Sequence, residues 1–548
     1  MVDDKRGAEA MIPGRMMDYP LTLTHLLERA RRYFGDNQIV SRYPDGSLHR
    51  QTWADTYART GRLAHALHRL GVGPGDRVAT LAWNHHRHLE AYFGVPMMGA
   101  VLHTLNLRLH ANELTYIARH AEDSIVLCDR SLLPLLEQFV MNVPSIRHVV
   151  VMADDGPTPD GKLDYETLLA AESPDYAWPL LDERSACAIC YTSGTTGNPK
   201  GVVYTHRSNV LHALFSSLPD AIPVSQRDVL MPVVPMFHAN AWGYPHMAAN
   251  AGAKLVLPGP KLDPESLVDL MARERVSRAA GVPTVWLGIL ALLDANPKKW
   301  DLSCVKEMLV GGAAAPPAMI EGLGRHGLAV THAWGVTEMN PIGTISRPKA
   351  DMDGRSDAEK LVIRATQGYA ATFVETRHAG EDGHVLPWDG ERMGELEVRG
   401  PFVASSYVGD EGKDRWTADG WFRTGDVVTI DAAGYVRICD RSKDVIKSGG
   451  EWISSVALEN ALMGHPSVLE AAVFAGRHAK WDERPIAAIV LKKGATATQA
   501  DLAKYIEGKF AKYWMPDAYV FVEQIPRTST GKFLKSKLRE LYGEMLVK

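Results

Sequence analysis

Apolar residues recur at helical spacing from Leu23 to Tyr33 and again from Tyr57 to Leu70, which predicts two amphipathic helices early in the chain. Gly71-Val72-Gly73-Pro74-Gly75-Asp76 then reads as a turn, Arg77 to Ala82 as a strand, Glu90 to Met98 as a helix and Ala100-Val101-Leu102 as the next strand. Short apolar runs at Ile125 to Cys128, Val149 to Met152, Ala186 to Tyr191, Asp228 to Val233, Lys254 to Leu257, Lys306 to Val310 and Glu395 to Val398 predict further strands. Between them, Pro264 to Glu274 and Pro283 to Ala295 read as helices, the first with Asp263 as its cap and Pro264 in its first turn. Both residue types suit those places. The alternation predicts a layered α/β body with mostly parallel sheets.

The pattern changes near the end. Gly434 to Cys439 is a short strand pattern, followed by the charged run Asp440-Arg441-Ser442-Lys443-Asp444 and the glycine pair Gly449-Gly450. Val456 to Met463 reads as a helix, Val468 to Val473 and Ile486 to Leu491 as strands, and Ala500 to Phe510 as a helix. A charged crossing between two textures has the composition of an exposed linker. The expected organisation is a large domain over 1–439, a hinge at 440–443 and a small α+β domain over 444–548.

A chain of 548 residues implies more than one domain. Its formal net charge is -5, with both signs mixed along the chain, so it carries no nucleic-acid footprint. Five cysteines, Cys128, Cys187, Cys190, Cys304 and Cys439, form no disulfide framework. Cys187 and Cys190 have a zinc-like separation but no second pair nearby, and both lie in an apolar run; core packing is the expectation. No signal peptide pattern and no membrane-spanning run is present, which points to a cytoplasmic protein without stable membrane insertion.

The candidate chemistry begins with Tyr191-Thr192-Ser193-Gly194-Thr195-Thr196-Gly197-Asn198-Pro199-Lys200-Gly201, which follows an apolar strand pattern. A loop rich in amides and hydroxyls with one lysine suits a polyphosphate. The spacing is not that of the common triphosphatase loop. Gly311-Gly312-Ala313 follows a strand and could let a flat ring approach the backbone, or simply form a tight strand-to-helix turn. Trp334-Gly335-Val336-Thr337-Glu338 sets an aromatic, able to stack on a base, beside a carboxylate able to hold magnesium; an ordinary loop with one packed aromatic fits as well. Asp426, in Trp421-Phe422-Arg423-Thr424-Gly425-Asp426, could accept ribose hydroxyls. His238 in an apolar, aromatic setting reads alone as a structural residue, and Lys532 alone as one lysine among many.

Together these segments resemble the acyl-adenylate-forming superfamily of acyl-CoA synthetases, luciferases and peptide-synthetase adenylation domains. The resemblance runs through most of the chain in the family's order: Thr192 to Lys200, Trp334 to Glu338, Trp421 to Asp426, Asp440 to Lys447 and Lys532. Val234-Pro235-Met236-Phe237-His238-Ala239-Asn240-Ala241-Trp242 and Lys447-Ser448-Gly449-Gly450-Glu451-Trp452-Ile453-Ser454-Ser455 are similar to the branch of bacterial medium- or long-chain fatty-acid CoA ligases.

The resemblance implies two half-reactions: a carboxylate attacks the ATP α-phosphorus, then the CoA thiol attacks the acyl-adenylate and releases AMP. It implies a small domain that moves between them. Residues Thr192, Ser193, Gly194, Thr195, Thr196, Gly197 and Lys200 match the phosphate loop, and Thr192 and Glu338 the Mg2+ positions. Gly312, Ala313, Trp334, Gly335 and Thr337 match nucleotide-binding positions, with Trp334 at the adenine-stacking position where relatives often carry Tyr. Asp426 matches the ribose ligand and Arg441 a ribose or phosphate contact. Lys532 matches the lysine that meets the carboxylate and α-phosphate, Lys443 the hinge residue, and Lys447 a weaker candidate for the thioester step. His238 matches a histidine lining the acyl site and Trp242 a gate of the acyl tunnel, with Gly243 next to it. A homodimer, joined in part through the Met11 to Leu26 segment, is implied by the same analogy. A 3-methylmercaptopropionate CoA ligase on this scaffold is the alternative. A luciferase-like oxygenase, a peptide-synthetase adenylation domain and a non-enzymatic nucleotide binder are the other classes weighed.

Overall fold

The computed structural model describes residues 14–154, 156–192, 198–449, 451–527 and 533–547. Two large sheets carry the N-terminal domain. One is seven-stranded, in the order Leu163–Asp164, His148–Met152, Asp123–Asp129, Arg77–Leu81, Val101–Thr104, Ala186–Tyr191 and Gly201–Thr205. Only its last pair is antiparallel. The other has nine strands, with Val330–Gly335, Glu307–Val310, Arg278–Gly281, Val229–Pro232, Lys254–Leu257 and Gln38–Arg42 parallel in that order. Antiparallel strands close both edges of this sheet.

The predicted helix over Pro264–Glu274 forms at those limits. Asp263 Oδ1 accepts the Ser266 amide at 2.9 Å, and Arg275 ends the helix in a left-handed conformation. The second early helix starts sooner than its periodicity predicts, at Trp53. Thr52 and Asp55 form a reciprocal cap there, a motif worth about 1 kcal/mol. The Trp53 indole is buried and donates to the Ala253 carbonyl at 3.0 Å, a contact that a helical pattern alone does not reveal.

One core cluster contains residues of both sheets and of the helix His86–Met97, every residue of which is buried. Two further helices, His206–Ser216 and Tyr244–Ala251, are buried along most of their length. A four-stranded antiparallel sheet, Glu375–Ala379, Gly394–Arg399, Phe422–Ile430 and Val436–Arg441, completes this domain.

The chain then enters a smaller sheet, mostly antiparallel, that starts at Ile446–Ser448. The long hairpin Val468–His478 with Asp482–Leu491 dominates it, and the helices Ser455–Met463, Gln499–Ile506 and Lys535–Tyr542 pack with it. The charged crossing departs from the sequence expectation in one respect. Asp440 is not an exposed linker residue: it lies within the strand Val436–Arg441 and is 1 % exposed. Cys187 and Cys190 are buried, with burial pushing both thiols up, to about 12 and about 11. No group of three metal-ligating side chains occurs among the described residues. No helix among them is long and apolar enough to cross a membrane.

Candidate active site

A cavity of about 180 Å³ opens where the two large sheets meet the four-stranded sheet. Its lining draws on distant parts of the chain: Thr192 and Lys200, His238 and Trp242, Gly311 and Gly312, Trp334 to Glu338, Tyr407, Arg415 and Arg441.

The nucleotide-like end is built around Asp426. Its strand pairs with Val436–Arg441 so that Asp426 lies opposite Arg441. One carboxylate oxygen accepts the Trp334 indole N–H at 2.9 Å, and the other lies 2.7 Å from Arg441 Nε. That second oxygen has no donor at hydrogen-bond angle, so a buried acceptor is left without a full complement of bonds behind Trp334 and Arg441, which line the cavity while Asp426 does not. Trp334 is held edge-on by this contact, with its ring on the lining. Tyr204 Oη donates to the Thr337 carbonyl at 2.6 Å and fixes the following turn.

Beside it, Glu338 is buried and accepts the Tyr407 hydroxyl at 2.5 Å. Burial, then the Glu338 charge, pushes the Tyr407 phenol up, so it stays a proton donor. Lys200 Nζ sits 5.4 Å above the Tyr407 ring and 4.0 Å from Glu411. Thr192 N donates to the Lys200 carbonyl at 2.9 Å, and Lys200 N donates to Thr192 Oγ1 at 3.2 Å. The two ends of the predicted phosphate loop are thereby pinned together. Ser193, Gly194, Thr195, Thr196 and Gly197 themselves lie outside the described residues. Gly201 has no room for a side chain: a Cβ there would meet Val408 at 2.9 Å and the Tyr191 ring at 3.0 Å.

The opposite end carries His238 and Trp242. Ala239, Asn240, Ala241 and Trp242 all have φ between 40° and 54°, and Gly243 follows at 79°. Left-handed backbone costs roughly 1–2 kcal/mol for each residue with a Cβ, so other contacts must hold this turn. Asn84 supplies several: its amide donates to the Pro232 and Val234 carbonyls at 2.9 Å each and accepts Met236 N at 2.7 Å. Cys190 donates to Asn240 Oδ1 at 3.3 Å. The turn presses the Trp242 indole onto Gly311, where a Cβ would come within 3.1 Å of the ring. Gly243 is needed for a second reason, since a Cβ there would meet the His212 ring at 2.8 Å. The glycine pair thus leaves room for the protein's own Trp242 ring.

Of the other predicted positions, Ala313 and Gly243 sit next to the cavity in sequence without lining it. Lys443 is exposed in the crossing. Lys447 Nζ pairs with Glu381 at 2.5 Å on the outside of the junction and does not line the cavity. Lys532 lies outside the described residues. Tyr407 and Arg415 were missed by sequence reasoning. Arg415 donates to the Arg423 carbonyl at 2.9 and 2.6 Å from Nε and Nη2, which sets its cation along the lining. Their segment has no periodicity, and its only signal is a tyrosine before a glycine- and aspartate-rich turn.

Residues 27–408 match the family model described as AMP-binding enzyme, and residues 457–532 match its C-terminal domain. The chain belongs to the AMP-binding enzyme family. Within this family, it is 50 % identical over 533 residues to the long-chain-fatty-acid–CoA ligase of Thermus thermophilus, covering 97 % of each chain. It is 45 % identical over 541 residues to the medium-chain-fatty-acid–CoA ligase of Ectopseudomonas oleovorans, covering 98 % of each. It is also 46 % identical over 538 residues to the 3-methylmercaptopropionyl-CoA ligase of Ruegeria pomeroyi, covering 97 % of this chain and 99 % of that one. The ATP-bound structure of MatB from Rhodopseudomonas palustris superposes with a TM-score of 0.82 at 29 % identity, over 96 % of this chain and all of that one.

Proposed function

We propose that the protein is an ATP-dependent medium- or long-chain fatty-acid CoA ligase that works through an acyl-adenylate. The observation that carries this reading is the convergence, around one cavity, of a pinned phosphate-loop base, an apolar end closed by an indole, and Trp334 and Arg441 on the lining, both held from behind by the buried Asp426 carboxylate. The AMP-forming acyl-CoA synthetase class rests on the family match and on relatives aligned over nearly the whole chain.

The physical task is to bring a carboxylate up to a polyanion. Asp426 would take the ribose hydroxyls with its under-bonded oxygen, and Trp334, held by that carboxylate, would present its ring to adenine. Lys200 and Arg415 would face the phosphates, and Arg441 the ribose or α-phosphate. Thr192 and Glu338 fit a hard cation: one hydroxyl and one buried carboxylate line the same wall, leaving phosphate oxygens to complete the oxygen shell that Mg2+ prefers. When bound, Mg2+ would neutralise charge on the phosphates. Lys532 would stabilise charge that develops on the carboxylate and α-phosphate in the transition state. His238 would orient the carboxylate, and Trp242 would gate the acyl chain.

The second step requires a different set of groups at the same carbonyl. In this reading residues 440–443 are the hinge between domains 1–439 and 444–548, Lys443 is the pivot, and rotation brings the Lys447 face to the thioester site. The Lys447–Glu381 pair on the outside of the junction suits the arrangement for the first step. A cytoplasmic homodimer belongs to the same reading, by analogy with the family. A similar relative acting as a 3-methylmercaptopropionyl-CoA ligase supports the second reading. AMP release with ATP, Mg2+ and CoA, measured across acids from methylmercaptopropionate and butyrate to palmitate, decides between them. A peak at medium or long straight chains supports the first, and a peak at methylmercaptopropionate replaces it with the second.

A further inference from the structure

A buried charge cluster joins the two domains beside the crossing. Lys535 Nζ lies 2.7 Å from Glu459 Oε1 and donates to Ser455 Oγ at 2.5 Å. Ser455 N in turn donates to Asp440 Oδ2 at 2.6 Å. Lys535 is 8 % exposed, Glu459 6 % and Asp440 1 %. The ammonium thus pairs directly with one carboxylate, Glu459, and is linked to the second, Asp440, through Ser455, in a place that water barely reaches. Backbone amides also reach the carboxylates: Val473 N donates to Glu459 Oε1, the oxygen that Lys535 meets, at 2.8 Å, and Arg441 N donates to the other oxygen of Asp440, Oδ1, at 2.8 Å. Desolvation of such groups is expensive, and removing one partner strands the others.

The cluster's membership matters more than its energy. Asp440 sits in the four-stranded sheet of the large domain, opposite Val427. Glu459 and Ser455 belong to the helix Ser455–Met463 of the small domain, and Lys535 opens its helix Lys535–Tyr542. Lys535 also comes three residues after Lys532. The described flanks of that stretch are tied: Arg527 and Phe533 form a bridge, and Leu534 N donates to the Pro526 carbonyl at 2.8 Å. Lys535 is the next fixed point of the chain, and it is fixed to the crossing strand through Ser455.

We propose that Lys535 is a positioning residue for adenylation: through Ser455, its ammonium ties the start of the helix that follows Lys532 in sequence to the strand that carries Asp440, and so holds the two domains in the arrangement of the first half-reaction. The proposal rests on the two-step reading above. Rotation about the crossing separates Ser455 from Asp440, while the Lys535–Glu459 pair travels with the small domain. The cluster is thus divided in the second arrangement and whole in the first.

The test separates the two steps in the full-length enzyme. Pyrophosphate exchange into ATP, with whichever acid gives the highest rate, reads adenylation. Thioester formation from preformed acyl-adenylate reads the second step. Lys535→Met is expected to lower exchange by about 100-fold, the scale of a small misplacement of a catalytic group, with the second step near wild type. Lys535→Arg is expected to restore most of the exchange. Lys535→Met with Glu459→Gln removes the stranded carboxylate, so thermal stability returns while exchange stays low. Equal loss in both steps, or full exchange in that double variant, overturns the proposal. Tryptic cleavage after Lys443 needs no acid at all. Asp440→Asn is expected to accelerate it several-fold, and an unchanged rate overturns the domain-holding role. A substrate profile that peaks at another acid leaves all of these outcomes readable.

Discussion

Two parts of the molecule, the core of the large domain around its histidines and the junction beside the crossing, bury ionisable groups by different means. In the large domain the buried helices and one strand carry histidines with no water to solvate a charge. His88, His212 and His246 are held down to about 3 by burial, and His206 and His332 to about 4. Each stays neutral, and some bond locally: His88 contacts Thr80 Oγ1 at 2.9 Å and the Trp83 carbonyl at 3.0 Å, and His212 Nε2 accepts Ile342 N at 3.1 Å. At the junction the small domain instead pairs its buried groups, Glu459 with Lys535, and links them through Ser455 to Asp440. Neutral groups fix a shape without needing a partner in another domain. A charge cluster depends on every member, so it can serve as a contact that is made and broken. On the proposed two-step reading, the large domain holds the fixed half of the site and the junction the half that changes.

The largest expected effect tests that division of labour in catalysis. Lys532→Ala should reduce adenylation by about 100- to 1,000-fold, the scale for loss of one transition-state cation or donor, and spare thioester formation from preformed acyl-adenylate. Asp426→Ala, in the fixed half, should weaken nucleotide binding in both steps, because it frees Trp334 as well as removing the ribose acceptor. Pyrophosphate exchange and single-turnover thioester formation measure both variants. Equal loss of the two steps in Lys532→Ala would refute the assignment of this lysine to one step.

Stability against pH should divide the domains next. The buried histidines have folded values below the unfolded 6.5, so the unfolded chain takes up protons first as pH falls. Their stabilising neutrality is present above 6.5 and is lost from there towards pH 3. At pH 5 each contributes a loss of about 2 kcal/mol. Glu459 runs the other way: burial raises its folded value from 4.5 to about 7. Its contribution is present below 4.5 and is lost as pH rises through 7. Hydrogen exchange at pH 5 and pH 7, corrected for intrinsic rates, should show protection falling in Val229–Pro232 and rising in Val468–His478 on acidification. Parallel changes in both strands would break the comparison.

A smaller effect concerns the acyl end. Trp242→Ala removes the ring that lies on Gly311. The ratio of palmitate to butyrate activity should shift by about tenfold, or ~1.4 kcal/mol, measured by AMP release. An unchanged profile from butyrate to palmitate would remove the gate assignment.

Much of this scaffold could be read directly from the chain because it is local. The helix Pro264–Glu274 follows from Asp263, Pro264 and its period, and the parallel strands follow from short apolar runs bounded by turns. The edge hairpin Gln38–Arg42 with Leu48–Thr52 was not read, although Tyr43-Pro44-Asp45-Gly46-Ser47 carries a turn signal. Its strands are too polar to mark themselves by apolar alternation. Thr192 and Glu338, which line the cavity, and Asp426 behind it were named from motif order. Tyr407 and Arg415, on the same lining, were not: Tyr407 reaches Glu338 across 69 residues, and a contact made at that separation leaves no period. Asp440 misled because a charged run resembles solvent-facing chain, and its burial depends on Ser455 and Lys535 arriving from the other domain.

The smallest effect isolates backbone strain in the fixed half. Ala241 has φ of 50° and Ala248 lies in the right-handed helix Tyr244–Ala251; both are fully buried. The same change to glycine removes one buried methyl from each, a loss of about 0.8 kcal/mol. At Ala248 the loss of helix propensity adds about 1 kcal/mol, so Ala248→Gly should destabilise by nearly 2 kcal/mol. At Ala241 the change relieves a left-handed conformation costing roughly 1–2 kcal/mol, so Ala241→Gly should be neutral or stabilise by up to about 1 kcal/mol. Denaturant unfolding of the two variants gives opposite signs if the turn that sets Trp242 is strained. Equal destabilisation would mean that this turn is relaxed and that packing alone places the indole.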